Sequence, residues 1–457
     1  MINRREFLLN SALLASAAMF LPGCGKPKPR KIGPNDKLNV AVVGCGNRGF
    51  DNLNHVHGKA KNAQVVALCD VDDVTGAKGF NLVPSAKRFR DYRVMLDKMD
   101  KDIHAVLVAT PDHMHYPISA WAIAKGKHVY CEKPLTRTIW EARDICKRAK
   151  EAGVVTQMGN QGHTFPGWRI LREWAESGLL GEIEDIWMWT DRPCWPQGAD
   201  LKIAEGETVP STLDYKLWLG VAPYLPYSKN VVPFRWRGLR NFGTGSAGDM
   251  ACHFFDTPYS GLQLGMPESF SVDATPHSDL SWPAATTMVM NFNSKFGKNG
   301  KIKLHWSDGR RRPKHGEIKR VDDAFIDDPR NLNCLFVVGS KGTYSGSHYG
   351  TDSKLYPRND FVNAKKNNLI PAEKYARSKY QGLPQIDWVN ACIEGRPAES
   401  NFDYACPFTE LVLLSMVGAL VPNRELTYNS ENMTFPNCPE ANAFTKSLYA
   451  YNKEFLP

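Results

Sequence analysis

Three closely spaced glycines follow the first apolar run of the chain. Leu38–Val43 is almost wholly apolar and rich in valine, which is typical of a parallel strand buried on both faces. Gly44, Gly46 and Gly49 come directly after it. In such a turn the first glycine permits the tight bend, the second lets the backbone approach a pyrophosphate, and the third lets a helix pack closely on the strand. The spacing therefore predicts a βαβ unit that binds a dinucleotide phosphate at a helix N-terminus.

A second predicted strand ends in a carboxylate at the spacing that such sites use. Residues 64–69 are largely apolar, and Asp70 follows them about twenty residues after Gly49. A carboxylate there binds the adenosine ribose hydroxyls and repels a ribose phosphate, so the pattern favours NAD over NADP. Arg48 could offset that repulsion, and Asp70 could instead only cap the strand. Asn47 and Arg48, inside the turn, are also predicted to contact the cofactor.

The next strands end in polar loops at the same edge of the predicted sheet. Residues 103–109 and 128–130 read as strands, with a helix over 116–125 between them. This alternation predicts an α/β domain with a doubly wound parallel sheet, whose ligands bind beyond the carboxyl ends of the strands. The residues of these loops predicted to bind the cofactor are Thr110, Pro111, His113, Glu132 and Lys133.

Two short motifs make the pattern more specific. Ala109-Thr110-Pro111 and Glu132-Lys133-Pro134, with the glycine turn, resemble the Gfo/Idh/MocA family of sugar and polyol oxidoreductases, which includes glucose-fructose oxidoreductase and inositol 2-dehydrogenase. The resemblance covers essentially the whole mature chain. It implies a cis peptide before Pro134 that fixes Lys133 against the nicotinamide. It also implies a C-terminal α+β domain with an open, mainly antiparallel sheet, whose exposed face packs on another subunit, so a homo-oligomer is expected.

The strand and helix pattern changes at residue 159, where longer strands and large loops begin. We therefore expect an NAD-binding Rossmann domain over residues 38–158 and a substrate and oligomerisation domain over residues 159–457. The apolar run over residues 410–421 is too short to span a bilayer and predicts a core helix.

The predicted reacting groups lie in a glycine-rich helical segment, residues 245–256. Asp249 and His253 are four residues apart, which on a helix places both side chains on one face. The resemblance implies that they are the catalytic Asp and His of the family. Oxidation of an alcohol removes the hydroxyl proton while hydride leaves the same carbon, and an imidazole can accept that proton. We predict His253 as general base, Lys133 as donor to the reacting oxygen, and Asp249 as the group that orients one of them. Alternatively, His253 is a core histidine and Asp256 positions the helix.

Aromatic and arginine side chains are dense between residues 187 and 236. Sugar rings have C–H faces that pack on indoles, and their hydroxyls suit Arg and Asp, so this segment predicts a wall for a small-molecule carbohydrate. Arg192 and Trp195 are the preferred substrate residues beside Lys133, Asp249 and His253, because the prolines near them predict a loop. Each tryptophan could instead belong to the core. The other members of the predicted wall are Trp187, Trp189, Trp218, Trp236 and Arg235.

The first 37 residues are predicted to contain an export signal and a membrane tether. Arg4-Arg5, a short apolar run and Cys24 after a small residue are typical of a twin-arginine leader with a lipoprotein cleavage site. We predict a signal over residues 1–23 and a disordered, basic tether over residues 24–37. The expected location is periplasmic, with a lipid on Cys24 as the only membrane contact. The alternative is an ordinary N-terminal membrane anchor.

Charge and residue spacing argue against other classes of protein. More than half of the formal net charge of +9 lies in the first 37 residues, so the body is only mildly basic and nucleic acid is not an expected partner. The pairs His55/His57 and His113/His115 have metal-like spacing but no cysteine or carboxylate cluster, so no metal is expected. His113 is instead expected beside the cofactor. Most of the eleven cysteines sit in apolar runs, which predicts free thiols.

An exported dehydrogenase meets no pool of nicotinamide with which to exchange. We therefore expect an NAD-dependent oxidoreductase that oxidises a sugar or glycoside hydroxyl, at C3, and recycles a tightly bound cofactor by reducing a second substrate. One alternative is an NAD-dependent glycoside hydrolase that works through a 3-keto intermediate; its extra base near C2 would be Tyr215 or His163. Another is a non-catalytic sugar-binding lipoprotein, which would have no use for a proton-transfer set.

Overall fold

The computed structural model describes residues 28–33, 36–204 and 206–457. The predicted leader, Cys24 and part of the predicted tether lie outside these residues. The described residues before position 38 contain no helix or strand.

A parallel sheet forms the N-terminal of the two parts of the protein, as the sequence predicts. We call this part, from β1 to β6, the first or Rossmann half, and the part that follows it the second half. It has six strands in the order β3-β2-β1-β4-β5-β6, and every neighbouring pair is parallel. The order reverses beside β1, so the ligand-binding switch point lies at the carboxyl ends of β1 and β4. The strands are β1 Leu38–Val43, β2 Ala63–Cys69, β3 Lys87–Phe89, β4 Ala105–Val108, β5 His128–Cys131 and β6 Thr156–Met158.

Helices cover both faces of this sheet, and their ends are capped by local side chains. Asp72 accepts hydrogen bonds from the backbone N–H groups of Val74 and Thr75 and so starts the second helix. Thr138 and Glu141 form a capping box at the start of the fifth. The five helices are α1 Asn47–Lys59, α2 Asp73–Leu82, α3 Tyr92–Lys98, α4 His115–Ala124 and α5 Ile139–Ala152.

An open, mainly antiparallel sheet forms the second half, which confirms the predicted fold class. Its eight strands run in the order β13-β12-β11-β7-β10-β9-β8-β14. The pairing of β7 with β10 is parallel, and so is a short contact between β7 and β9. The strands are β7 Ile183–Trp189, β8 Ser269–Ala274, β9 Thr286–Lys298, β10 Lys301–Ser307, β11 Cys334–Gly339, β12 Thr343–Gly346, β13 Lys354–Tyr356 and β14 Glu425–Leu426.

The remaining helices pack between and around the two sheets. Among the described residues, one helix, Phe402–Leu420, is long and apolar enough to cross a membrane, and 83% of its most apolar stretch is buried within the protein. It is a core helix, and Glu410 within it forms an ion pair with Arg143. The helices are α6 Gly167–Glu176, α7 Tyr215–Leu219, α8 Gly245–Phe254, α9 Asp256–Gly261, α10 Asp323–Asp327, α11 Arg358–Lys366, α12 Pro384–Glu394 and α13 Phe402–Leu420.

Helix α12 packs differently from what the sequence predicts. It lies late in the chain, within the predicted second domain, but Trp388 and Val389 are buried in one apolar cluster with Leu38 and Val40 of β1. Strand and helix alternation shows where a domain begins, but it carries no information on where a later helix docks. The Rossmann half is therefore completed by the C-terminal part of the chain.

Candidate functional site

One large cavity follows the carboxyl ends of β1, β2, β4 and β5. Its volume is about 370 Å³, and its walls come from both halves of the protein. The Rossmann half contributes the glycine turn and the loops after these strands, while the second half contributes α8 and residues 192–237. This is the edge of the sheet at which open α/β folds bind their ligands.

The glycine turn adopts the geometry that its spacing predicts. Gly44 has a φ of +85°, and a Cβ there would lie 2.4 Å from the carbonyl oxygen of Ala109. A Cβ on Gly46 would lie 2.4 Å from Cγ2 of Thr75, and one on Gly49 would lie 2.0 Å from the carbonyl oxygen of Gly44. Side chains are therefore excluded at all three positions. Gly44 and Gly46 line the cavity, whereas Gly49 lies behind it and lets α1 approach β1.

Asp70 lines the cavity and also holds the glycine turn. Its two carboxylate oxygens accept hydrogen bonds from the backbone N–H groups of Cys45, at 2.8 Å, and Asp72, at 3.0 Å. Asp70 therefore acts as a strand-end residue that fixes the turn, and its position in the cavity wall leaves ribose binding as a prediction. Burial raises the pKa of Asp70 to about 6.

This raised pKa predicts how NAD affinity depends on pH. Ribose hydroxyls donate best to an ionised carboxylate, and Asp70 becomes protonated as the pH falls through about 6. We expect the affinity of nucleotide-stripped protein for NAD to be highest above that pH and to fall by up to about tenfold per pH unit below it. Fluorescence titration with NAD across this range measures the slope. Asp70→Asn should bind NAD more weakly and lose this slope; an unchanged slope in the variant would assign the pH dependence to another group.

Polar atoms without partners mark the phosphate and nicotinamide part of the cavity. Arg48 Nε donates to Glu132 Oε1 at 3.1 Å, but Arg48 Nη2 and the Thr110 hydroxyl are buried and have no hydrogen-bond partner among the described residues. Buried polar groups are normally satisfied, so these atoms call for a polar ligand. With the glycine turn, they fit a dinucleotide. The predicted residues that line the cavity here are Gly44, Gly46, Asn47, Arg48, Asp70, Thr110, Pro111, Glu132 and Lys133.

Lys133 and Asp249 form an ion pair across the two halves. Lys133 Nζ donates to Asp249 Oδ1 and to the Asp249 backbone carbonyl, each at 2.8 Å, and the Lys133-Pro134 peptide is cis. Burial alone would lower the pKa of Lys133, but the charge of Asp249 outweighs it and raises that pKa above its ordinary value. Burial opposes ionisation of Asp249, yet the charges of Lys133 and Arg237 lower its pKa to about 2. Lys133 is therefore a hydrogen-bond donor at neutral pH, and Asp249 orients it.

His253 lies one helical turn after Asp249 and also lines the cavity. Its ring meets that of Tyr349 edge-on at 4.8 Å between centroids. Its Nδ1 is buried and has no hydrogen-bond partner among the described residues. Burial, and then the charge of Lys133, lower the pKa of His253 well below its ordinary value. The imidazole is therefore neutral at neutral pH.

Arg192 and Trp195 line the cavity as well, together with Arg237, which no sequence pattern singled out. Arg237 lies 3.7 Å from Asp249 Oδ1 through its Nε, and its guanidinium carbon is 4.3 Å from the ring centroid of Trp236. The sequence predicts Arg235, two positions earlier, as part of the wall, but Arg235 donates to Asn230 Oδ1 on the surface at 3.0 Å. A 3-10 turn over residues 235–238 separates the directions of the two arginines, and composition alone does not reveal it.

Two members of the predicted tryptophan wall lie elsewhere. Trp218 and Trp236 line the cavity with Trp195. Trp187 stacks on His305 at 3.7 Å between centroids on the second sheet, and Trp189 is buried in a separate apolar cluster. Both belong to β7, so they pack on the second sheet and its apolar cluster and not against the cavity.

The prediction for His113 needs correction. His113 is fully buried behind the cavity, where its Nε2 forms a hydrogen bond with the Trp218 carbonyl at 3.0 Å and its ring packs on Phe242. A 3-10 turn over Asp112–Met114 directs the histidine into the protein. Its neighbour His115 lines the cavity instead.

The two bases suggested for a hydrolase also lie away from the cavity walls. The Tyr215 hydroxyl donates to the Leu225 carbonyl at 2.8 Å. His163 Nδ1 is 2.9 Å from Asp256 Oδ1, and its ring packs on Tyr404 at 4.2 Å between centroids. Asp256 thus anchors this buried cluster at the start of α9, as its alternative interpretation predicts. Both histidine and tyrosine are occupied by structural contacts.

A strap from the second half crosses the adenosine part of the cavity; we define it as residues 212–218. The backbone N–H of Asp73 donates to the Thr212 carbonyl at 3.1 Å, and that of Asp214 donates to the Val71 carbonyl at 2.8 Å. Leu213 forms a β-bridge with Asp72 and lines the cavity with Trp218. A dinucleotide along the sheet edge would therefore lie beneath this strap.

Sequence comparison finds one family in both halves. Residues 38–160 match the Gfo/Idh/MocA profile described as "Oxidoreductase family, NAD-binding Rossmann fold". Residues 191–332 match the companion profile described as "Oxidoreductase family, C-terminal alpha/beta domain". Together these matches cover more than half of the chain.

Individual relatives share the N-terminal part. An inositol 2-dehydrogenase of Pseudarthrobacter chlorophenolicus is 38% identical over 101 residues, which cover 22% of this chain and 29% of that enzyme. A protein named glycosyl hydrolase family 109 protein 2 from a Shewanella strain is 27% identical over 172 residues, covering 32% and 37%. The chain thus spans less than half the length of the curated relatives it matches.

Among solved structures, an aldose-aldose oxidoreductase from Caulobacter crescentus complexed with glycerol has a TM-score of 0.56 and 14% identity. The match covers 86% of this chain and 99% of the other, which shows a shared fold.

Proposed function

Because the chain belongs to the Gfo/Idh/MocA oxidoreductase family, we propose that it oxidises a hydroxyl group of a sugar or glycoside with NAD, which it keeps bound between turnovers. The observation that carries the proposal is the 2.8 Å ion pair of Lys133 and Asp249 beside His253, in the cavity that the glycine turn also lines. A dinucleotide site and a proton-transfer set thus share one space.

The residues divide the proton chemistry between them. Bound NAD supplies the hydride acceptor. Lys133, cationic through its ion pair, donates a hydrogen bond to the oxygen of the substrate hydroxyl and so stabilises negative charge that develops there. His253 is neutral and takes the hydroxyl proton. Asp249 holds Lys133 in place through its side chain and its backbone carbonyl.

Retention of the cofactor is supported by the strap. Two backbone hydrogen bonds and the burial of Leu213 and Trp218 hold it over the adenosine part of the cavity, so release of a dinucleotide would require these contacts to open. Recycling then needs a second, carbonyl substrate that returns the cofactor to its oxidised form. One of the solved structures that share this fold is named an aldose-aldose oxidoreductase, and that name describes such an exchange between two sugars.

Purified protein is expected to contain NAD and to work without added cofactor. A glycoside added to the as-isolated protein should produce the absorbance of reduced nicotinamide, at no more than one equivalent per chain, and a ketose or aldose added next should remove it. Absorbance spectroscopy on gel-filtered protein measures both steps. Protein that carries no nucleotide and turns over only with soluble NAD would contradict the retained-cofactor part of the proposal.

We further propose C3 of the sugar as the oxidised position and a periplasmic, lipid-anchored homo-oligomer as the working form. Export is supported by Arg4-Arg5 and Cys24 in the sequence. Assembly is supported by the outer face of the second sheet, where Val289, Asn291 and His305 remain partly exposed on adjacent strands β9 and β10. Sedimentation of the mature chain tests the oligomeric state, and mass spectrometry of the membrane fraction tests the lipid on Cys24.

A second candidate function is the NAD-dependent glycoside hydrolase, in which the 3-keto group acidifies C2 and the glycosidic group is eliminated. The relative named as a family 109 glycosyl hydrolase favours it. So does Tyr349, which lines the cavity with its ring centroid 4.8 Å from that of His253 and could act as the base at C2, unlike Tyr215 and His163. Hydrolysis in deuterated water should place deuterium at C2 of the released sugar. A plain oxidoreductase would leave C2 unlabelled and release a keto-sugar.

A further inference from the structure

Three cationic side chains face the substrate part of the cavity: Lys133, Arg192 and Arg237. Of the two carboxylates in this part, Asp249 is shared by Lys133 and Arg237, at 2.8 Å and 3.7 Å. The other, Asp112, is buried and accepts a hydrogen bond from the Thr244 hydroxyl at 2.7 Å. Positive charge therefore exceeds negative charge where the substrate lies.

Arg237 is held ready for a ligand. Its guanidinium carbon lies 4.5 Å from the ring centroid of Phe234 and 4.3 Å from that of Trp236, so aromatic rings fix its plane. Its Nη1 donates to the Phe234 carbonyl at 3.0 Å. Its Nη2 forms no hydrogen bond with the residues that the structure describes, so the two N–H groups of this nitrogen are left for a partner.

Arg192 is only weakly neutralised. Its nearest carboxylate, Asp191, is 3.5 Å away, and about a third of the Arg192 side chain is exposed. Burial and then the charge of Arg192 lower the pKa of His348, and burial and then the charge of Lys133 lower that of His253.

We propose that the saccharide substrate carries an oxyanion, a carboxylate or a sulfate ester. Arg192 and Arg237 bind this oxyanion, while Lys133 donates a hydrogen bond to the reacting hydroxyl. The inference rests on the proposed function and names its substrate class. Guanidinium groups bind such oxyanions through paired N–H donors, and their attraction is strong where water is largely excluded. The anion would also supply the negative charge that this wall lacks.

The test compares matched glycosides on protein with its retained NAD. The probes are 4-nitrophenyl glucoside, the corresponding glucuronide and the 6-sulfate of the glucoside, with the galacto-configured set alongside. Reduction of the bound cofactor is followed in single turnover. We expect a preference of roughly 10- to 100-fold in the apparent second-order rate constant for one of the anionic probes over its neutral counterpart, the range set by a charged hydrogen bond. The carboxylate and sulfate arms distinguish the two sources of the anion.

Two variants and a matched control assign the effect. Arg237→Gln and Arg192→Gln should each lower the rate with the anionic probe more than the rate with the neutral probe, and so remove most of the preference. Arg235→Gln, on the surface of the same segment, should leave the preference intact. Equal rates for neutral and anionic probes, or equal losses on both probes in the variants, would overturn the inference and leave the oxidoreductase function standing. If no sugar of either kind reduces the cofactor, the proposed function itself fails.

Discussion

Replacing Lys133 by methionine is expected to lower the rate of sugar oxidation by about 10³-fold, within the range of a positioned proton-transfer group. Methionine keeps the length and volume of the side chain but cannot donate to the reacting oxygen. It also leaves Asp249, whose pKa lies at about 2 in the ion pair, as a largely buried carboxylate that keeps only the 3.7 Å ion contact with Arg237. Single-turnover absorbance with the best glycoside measures the loss, and nucleotide content after purification shows whether NAD is still bound.

A matched lysine controls for the loss of charge. Lys125 lies in the turn after α4, outside the cavity, where it pairs with Asp97 at 2.8 Å. Lys125→Met should oxidise sugar at the normal rate. The comparison also separates enzyme from binding protein, because a non-catalytic sugar-binding lipoprotein would show no turnover for the Lys133 variant to lose. Normal turnover by Lys133→Met would remove Lys133 from the mechanism.

Asp249→Asn separates positioning from proton transfer. The amide keeps a polar contact to Lys133 but loses the negative charge that raises the pKa of that lysine. We expect the basic limb of the kcat–pH profile to shift to lower pH, because Lys133 then loses its proton more readily. A variant that lost activity uniformly at every pH would indicate only a structural role for Asp249.

Much of the Rossmann half could be predicted because its signals are local. The glycine turn, Asp70 and Lys133 each follow a strand within a few residues, so a parallel sheet brings them to one edge by geometry alone. Only part of the site around Asp249 could be predicted from the sequence. Helical spacing places Asp249 beside His253, but only the fold shows that Asp249 holds the lysine.

The rest depends on contacts that no local pattern carries. Arg235 and Arg237 are indistinguishable by composition, yet a 3-10 turn points one to the surface and the other into the cavity. His113 was misplaced for the same reason, since one short turn decides which of two nearby histidines reaches the cavity. Helix α12 packs on the first sheet, hundreds of residues from it in the chain, and the local sequence of neither segment indicates this contact.

Gly49→Ala is expected to cost the protein both its nucleotide and part of its stability, although alanine is the better helix former. A Cβ at this position would lie 2.0 Å from the carbonyl oxygen of Gly44, so α1 or the glycine turn must move. We expect a loss of about 1–3 kcal/mol in the free energy of unfolding, typical of overpacking. Because the turn that binds the pyrophosphate is the part displaced, the purified variant should contain little NAD.

Gly58 offers a control in the same helix. A Cβ there meets no atom within 4 Å, so Gly58→Ala gains helix propensity without a clash and should raise stability by up to about 1 kcal/mol. Thermal melts of nucleotide-stripped protein give the stability of each variant, and acid release of nucleotide gives its NAD content. Similar melts and full NAD content in both variants would mean that the turn tolerates a side chain at Gly49, and the close approach of α1 to β1 would then play no part in holding the cofactor.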